Sequence, residues 1–195
     1  LNEIILREST SQEVAENARN IQGASKLLLT LINDILDISK IKSGKMEIVN
    51  VSYETGALFS EIVNMMWIKA KEKGLEFKLQ VDSSIPSMLC GDEVRIKQIL
   101  INLLNNAVKY TSEGSVTLAV RCERQSINRV RVWYSVEDTG LGVKKENIPY
   151  IFNAFQRVDE EKNRYIEGTG LGLSIVHQLV ELMGGEISVN SVYTK

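Results

Sequence analysis

The segment "GDEVRIKQILINLLNNAVKY", residues 91–110, reads as a helix with two unequal faces. Asp92 is the expected N-cap. Gln98, Asn102, Asn106 and Lys109 follow at steps of four, four and three, so their side chains project from one narrow strip. Ile96, Ile99, Leu100, Leu103 and Ala107 occupy the other side and are read as the face that meets a sheet. Solvent faces usually mix lysine with glutamate, whereas this strip is a run of amides ending in lysine. Amide oxygens are neutral ligands for a hard cation such as Mg²⁺, which keeps several waters and also takes phosphate oxygens. Lysine adds a point charge for phosphate. A merely solvated polar strip is the plainer alternative.

Two glycine-rich stretches downstream sharpen the choice. In "VEDTGLGV", residues 136–143, Asp138 ends a strand pattern and Gly140 and Gly142 follow. A carboxylate there can accept a hydrogen bond from an exocyclic amine such as adenine N6, and glycines let a flat ring approach the backbone. Alone, the stretch is equally a tight turn. In "IEGTGLGLSIVHQLVELMGG", residues 166–185, Gly168, Gly170 and Gly172 open a helix. Unpaired N–H groups and the positive helix end suit phosphate. No Gly-Lys-Ser/Thr follows and no strand precedes, so neither a Walker loop nor a Rossmann fingerprint fits.

The rest of the 195 residues frames these elements. Twenty-three basic and 25 acidic side chains nearly cancel, a net charge of −2 that argues against nucleic-acid binding. Cys90 and Cys122 lie in no metal-like spacing and read as reduced thiols of a cytoplasmic protein. No apolar run approaches the roughly 18 residues of a membrane span. The chain starts without methionine and reads as cut from something longer.

Residues 1–44 read as helix. Thr10 with Glu13 forms the expected capping box. Val14, Ile21, Leu28 and Ile35 recur every seven residues, with Ala24, Leu31 and Ile38 beside them, a seam that predicts packing on a partner helix. Folding back onto its own domain is the alternative. Gly44 is the expected stop. Residues 45–195 alternate. "ALFSEIVNMMWIKAKEKG" predicts a helix closed by Gly74. "LEFKLQV" predicts a half-buried strand with Leu75, Phe77, Leu79 and Val81 inward. "SVTLAVRCE" and "RVRVWYSVED" predict strands joined by the turn "RQSIN". "KKENIPYIFNAF" predicts a short helix, "QRVDEEKNRYIEG" a charged loop, and "EISVNSV" a last strand. The expected fold is α+β: a two-layer α/β sandwich, its mixed sheet covered by helices on one face, preceded by a helical stalk.

"QILINLLNNAVKYT", "VEDTGLGV", "IFNAFQRVDEEKNRYIEGTGLGL" and "LINDILDISKIKSGKMEI" occur in that family's order and resemble the N box, first glycine box, F box with second glycine box, and second dimerisation helix of hybrid-type sensor histidine kinases. The resemblance spans essentially the whole chain. It implies a Bergerat-type ATP-binding fold, the one shared with gyrase, Hsp90 and MutL, behind part of the dimerisation and phosphotransfer helices. It implies ATP and Mg²⁺ as ligands, a homodimer through residues 1–44, and a response-regulator receiver domain as partner. Nucleic acid and membrane are not expected partners of this piece, although the full-length protein of such kinases can be membrane-anchored.

Carried over by position, Asn106 resembles the Mg²⁺-chelating asparagine, with Asn102 one turn earlier beside the phosphates. Lys109 would contact phosphate, Tyr110 would flank the nucleotide, and Asp138 would bond adenine N6. Gly140 and Gly142 would shape the adenine pocket. Phe152 and Phe155 would anchor a loop that resembles the ATP lid, from which Arg157, Lys162 or Arg164 would reach phosphate. Gly168, Thr169, Gly170, Leu171 and Gly172 would supply its hinge and phosphate contacts.

His177 is the only histidine of the chain. In the family the phosphoacceptor lies on the first dimerisation helix, in a segment resembling H-E-[IL]-R-[TN]-P, which is absent here. "LNEIILREST" resembles the second half of that helix, which puts the acceptor about three helical turns before Leu1. His177, in "SIVHQLVELMGG", therefore reads as a structural residue at the edge of a helix packed through Ile175, Val176, Leu179 and Val180. The piece is expected to bind nucleotide and not to phosphorylate itself. The family also usually continues past "SVYTK" into a further strand. An ATPase of the same superfamily would carry a water-activating glutamate one turn before the chelating asparagine. That position is Asn102, an amide that cannot act as a general base. A nucleotide-binding scaffold without catalysis is the remaining alternative.

Overall fold

A computed structural model describes residues 2–8, 11–156 and 169–193. The chain divides into two compact units, Leu1–Met46 and Glu47–Lys195.

The first unit is a pair of helices, α1 (Asn2–Glu8) and α2 (Gln12–Lys42). The cap of α2 is Ser11, whose hydroxyl accepts from the Val14 N–H at 3.5 Å. The expected cap at Thr10 is thereby displaced by one residue, because Ser11 already sits at the extended position before the first turn. Gly44 turns the chain at φ 65° after the last helical carbonyls. Val14, Ile21, Leu28 and Ile35 remain about half exposed within the single chain.

The second unit begins with β1 (Val51–Glu54) and α3 (Thr55–Glu72). Then follow β2 (Glu76–Val81), β3 (Met88–Gly91), α4 (Glu93–Tyr110), β4 (Ser115–Ser126), β5 (Arg129–Asp138) and α5 (Gly172–Leu182). β4 lies between β2, which it pairs in parallel, and β5, which it pairs antiparallel. β1 and β3 make a separate antiparallel pair. The sheet is therefore mixed, and its inner face carries Val116, Leu118 and Val120 of β4 with Val132, Tyr134 and Val136 of β5. Against them pack Leu58, Ile62 and Met66 of α3 and Leu100, Leu104 and Ala107 of α4, all buried. On the outer face Arg121, Trp133, Ser135 and Glu137 are exposed. Helices cover one face, as the apolar patterns predict.

The apolar patterns also miss in places. On α4 the buried residues are Leu100, Leu104, Ala107 and Val108, whereas Ile99 and Leu103 are only half-buried. Leu79 and Val81 are exposed by 40% and 41%, because the helical layer covers only the start of the edge strand β2. The expected turn 124–128 shortens to Ile127–Asn128, since β4 runs on to Ser126 through a register shift at Arg124/Ser126. Residues 144–155 form no α-helix but a series of turns with one 3₁₀ turn at Ile148–Tyr150. Pro149 lacks an N–H and disfavours helical backbone at Ile148. "EISVNSV" makes no strand ladder, as no described strand pairs with its backbone. The four-residue strands β1 and β3 gave too little alternation to be read from sequence. No helix among the described residues is long and apolar enough to cross a membrane.

Candidate functional site

Helix α4 organises the site. Asp92 accepts from the Arg95 N–H at 3.0 Å, the expected cap, and its second oxygen accepts from the Val49 N–H at 3.0 Å. From this fixed start the strip of amides runs along the helix. Gln98 accepts from the Arg95 guanidinium at 2.8 Å, and Asn105, on a neighbouring face, accepts from Lys69 at 2.7 Å. Asn102 and Asn106 differ. Both are half-buried, and no hydrogen bond among the described residues engages either amide. Half-buried amides of this kind remain open to water or to a ligand that approaches the strip.

The N-terminus of α5 faces this strip. A methyl group built on Gly172 would lie 3.6 Å from the Asn102 side-chain oxygen. No side chain caps α5: Leu171 stands at the cap position and is fully buried. The first helical bond runs from the Ile175 N–H to the Leu171 carbonyl, and the Thr169 hydroxyl accepts from the Leu171 N–H at 3.1 Å. Gly170 adopts φ 71°, and its carbonyl accepts from the Phe155 N–H at 3.0 Å. Phe155 itself sits at φ 63°, in the left-handed region that few non-glycine residues occupy, with its ring largely exposed. Phe155 and Gly170 thus join the two ends of the stretch read as the nucleotide lid. Arg157, Lys162, Arg164 and Gly168 lie outside the described residues.

The C-terminal end of α4 meets the first glycine turn. The Thr111 hydroxyl, fully buried, donates to the Ala107 carbonyl at 2.7 Å and lies 3.5 Å from Asp138 Oδ1. Asp138 Oδ1 also accepts from the Gly140 N–H at 2.9 Å. Its carboxylate stands at the exposed end of β5, available to a donor from solvent. Gly140 is required by contact: a Cβ there would come within 2.5 Å of the Tyr110 carbonyl oxygen. Gly142 is required by conformation and contact together, with φ 69° and a Cβ that would meet the Val192 carbonyl at 2.2 Å. The Val143 N–H donates to Ser191 Oγ at 2.8 Å, so residues 191–192 line this turn. The Lys109 ammonium stands 4.6 Å from the centre of the Tyr110 ring, a cation–π contact.

Two residues of this arrangement escaped the sequence reading. Thr111 ties the helix end to Asp138. Thr139 accepts from the Ser115 N–H at 3.0 Å and donates to the Glu113 carbonyl at 3.2 Å, pinning the turn before β4. The signal was a threonine directly after the helix-ending lysine and tyrosine, and another between the aspartate and the glycine. His177 is placed otherwise. Its Nδ1 is 3.3 Å from the Glu181 carboxylate one turn on, and its ring centre is 5.3 Å from that of Phe152. Among the described residues, no three His, Cys, Asp or Glu side chains gather as a metal cage.

Along α4 the structure thus sets the amide strip, with Asn102 beside the start of α5, and at the helix end Lys109, Tyr110 and Thr111 beside Asp138 and the glycine turn. Residues 91–195 match the family model described as histidine kinase-, DNA gyrase B-, and HSP90-like ATPase. The chain is 40% identical over 192 residues to hybrid signal transduction histidine kinase L of Dictyostelium discoideum, covering 98% of this chain and 11% of that protein. It is 34% identical over 176 residues to the signal transduction histidine-protein kinase BarA of Escherichia coli (strain K12), covering 90% of the chain and 19% of BarA. The chain therefore spans between a tenth and a fifth of the length of these relatives. Among solved structures, full-length ShkA in complex with AMPPNP superposes with a TM-score of 0.74 at 31% identity, over 94% of this chain and 37% of that one. The Acinetobacter baumannii histidine kinase AdeS shares the fold, with a TM-score of 0.66 at 20% identity over 92% of this chain and 79% of that one.

Proposed function

The chain belongs to the family of histidine kinase-, DNA gyrase B- and HSP90-like ATPases, and from that premise we propose that it is the catalytic portion of a hybrid-type sensor histidine kinase. In this reading it binds ATP with Mg²⁺ and transfers the γ-phosphoryl group to a histidine outside this chain, for relay to a response-regulator aspartate. Residues 1–44 contribute dimerisation helices to a homodimer.

The observation that carries the reading is the amide strip of α4, with Asn102 beside Gly172 at the start of α5, which no side chain caps. Phosphoryl transfer is largely a matter of positioning and of neutralising charge that spreads over the phosphate oxygens. The backbone N–H groups of α5 offer donors and a positive helix end for those oxygens. Lys109 adds a cation that can leave the Tyr110 ring face for phosphate. Asp138 accepts from the adenine amine at the other end of the cleft, while Gly140 and Gly142 keep side chains out of the plane of the base. Tyr110 flanks the nucleotide, and Phe155 with Thr169, Gly170 and Leu171 roots the lid.

The donor set fits a hard cation: Asn106 offers a neutral oxygen, and Mg²⁺ would take its remaining ligands from water and phosphate oxygens. Mg²⁺ held there would neutralise phosphate charge. The chain supplies no general base at Asn102, which favours transfer to a protein acceptor over hydrolysis.

The test uses the longer protein that carries the acceptor. Incubated with ATP labelled in the γ-phosphate, it is expected to take an acid-labile label on histidine, and Asn106→Ala is expected to abolish it. Hydrolysis to free phosphate with no labelled protein would refute the kinase reading.

A further inference from the structure

Lys73 lies outside every nucleotide motif, yet its ammonium is bonded to the end of the helix that carries them. Its Nζ donates to the Val108 carbonyl and to the Lys109 carbonyl, each at 2.7 Å. The last carbonyls of a helix have no partner within it. On α4 the Ala107 carbonyl is taken by the Thr111 N–H and hydroxyl, and the next two are taken by Lys73. A cation at this end also meets the negative pole of the helix, and its hydrogen bonds are charge-assisted.

The lysine reaches α4 from a fixed point. Lys73 is the C-cap of α3, its own N–H bonded to the Ala70 carbonyl at 3.1 Å. Gly74 follows at φ 72°, and the buried Leu75 returns its N–H to the same carbonyl at 2.8 Å. The Glu76 N–H then bonds the Gly114 carbonyl at 2.9 Å, so the stem is rooted at both sides.

What the last turn of α4 holds is the base end of the cleft. The Tyr110 carbonyl abuts Gly140, and the Thr111 hydroxyl stands 3.5 Å from Asp138 Oδ1. A small change in that turn moves both against the carboxylate.

We propose that Lys73 is a positioning residue for the nucleotide: by bonding the Val108 and Lys109 carbonyls it sets the final turn of α4 against Asp138 and Gly140, and so fixes the depth of the adenine pocket. The inference rests on the nucleotide reading above and assigns Lys73 no contact with the ligand.

Affinities of the whole chain for ADP and for adenosine, measured by competition with a fluorescent nucleotide, test it. Lys73→Met keeps the length and removes both donors. It is expected to weaken ADP and adenosine by the same factor, about 5- to 20-fold, a part of the energy of the two lost bonds, because Lys73 acts on the pocket and not on the ligand. Lys73→Arg, which restores donors and charge, is expected to bind within about twofold of wild type. In the Asp138→Asn background, Lys73→Met is expected to add no more than about twofold, since both changes act on one contact.

If the wild-type chain binds neither ligand, the nucleotide reading itself falls. If it binds and Lys73→Met binds equally well, the inference about Lys73 falls alone. Weakening of ADP without weakening of adenosine would also overturn it, because Lys73 would then act as a phosphate-directed charge. Should the methionine variant fail to fold, the arginine variant still decides: a loss near tenfold contradicts the proposal.

Discussion

Replacing Gly140 with alanine probes the close approach of the end of α4 to the glycine turn proposed to hold adenine. The added methyl would start 2.5 Å from the Tyr110 carbonyl oxygen, 3.0 Å from the Tyr110 carbonyl carbon and 2.8 Å from Asp138 Oδ1. Carbon–oxygen contacts below about 3 Å are strongly repulsive, so the helix end or the turn must retreat by at least about half an ångström. Retreat of the helix end disturbs packing that includes the fully buried Thr111 and Leu104, at about 1–2 kcal/mol. Asp138 Oδ1, 2.8 Å from the same methyl, must turn away as well, which breaks its 2.9 Å bond from the Gly140 N–H, at about 1 kcal/mol. Together these predict a loss of about 2–3 kcal/mol, or a fall in melting temperature of about 4–12 °C for a chain of this size.

Affinity for an ATP analogue should fall at least tenfold, since Asp138 moves with the turn. Thermal unfolding by circular dichroism and calorimetric titration measure the two effects. Gly56→Ala is the matched control. Nothing lies within 4 Å of its added methyl, and in the first turn of α3 it is expected to leave binding unchanged and to stabilise by up to about 1 kcal/mol. If Gly140→Ala melts and binds like wild type, the close approach of α4 to the glycine turn is wrong.

Three further outcomes follow from the same geometry. Asp138→Asn keeps the size of the side chain but presents a donor to the adenine amine, and calorimetry should show a loss of about 1–3 kcal/mol in nucleotide affinity; unchanged affinity would remove Asp138 from the base pocket. Leu104→Ala empties a fully buried position between α4 and the sheet and should cost about 2–5 kcal/mol in denaturant unfolding, with less than about 1 kcal/mol pointing to a loosely packed core. Burial, with a smaller mutual influence of the two rings' hydroxyls, pushes Tyr53 and Tyr134 above the usual tyrosine value of 10.0. The neutral phenols are therefore favoured in the folded state, so stability is level below about pH 10 and falls as pH rises beyond it, where the unfolded chain loses these protons first. Tyr134→Phe should make that alkaline fall shallower in urea unfolding followed between about pH 9 and 11; an equally steep fall would assign it to other groups.

Much of this was legible because the helix and strand periods are strongly written. The steps of four, four and three along α4 place Asn102 and Asn106 on one strip without any tertiary knowledge. Asp92 announces the helix start, and β5 matches its alternating pattern from Arg129 to Asp138. What could not be read depends on partners distant in sequence. Leu79 and Val81 alternate like buried residues, yet their exposure is decided by where the helical layer stops. "EISVNSV" has the composition of a strand, but a strand exists only where another backbone accepts its ladder. Lys73 sits in a run of lysines and glutamates that reads as solvated surface, and only the approach of α3 to the end of α4 gives its ammonium two carbonyls. Thr111 and Thr139 are similar, since a threonine hydroxyl serves many helix ends and turns, and the residue it ties down is set by the fold.

The proposed function stands on a metal-dependent nucleotide site at Asn106 and its neighbours. Calorimetric titration of the chain with a non-hydrolysable ATP analogue, with and without Mg²⁺, tests it directly, with Asn106→Asp titrated alongside. Wild-type binding is expected to tighten when Mg²⁺ is present, and the metal dependence to change when a charge is added at Asn106. Affinity identical with and without Mg²⁺ in both proteins would contradict the metal role of Asn106, and no binding at all would contradict the site.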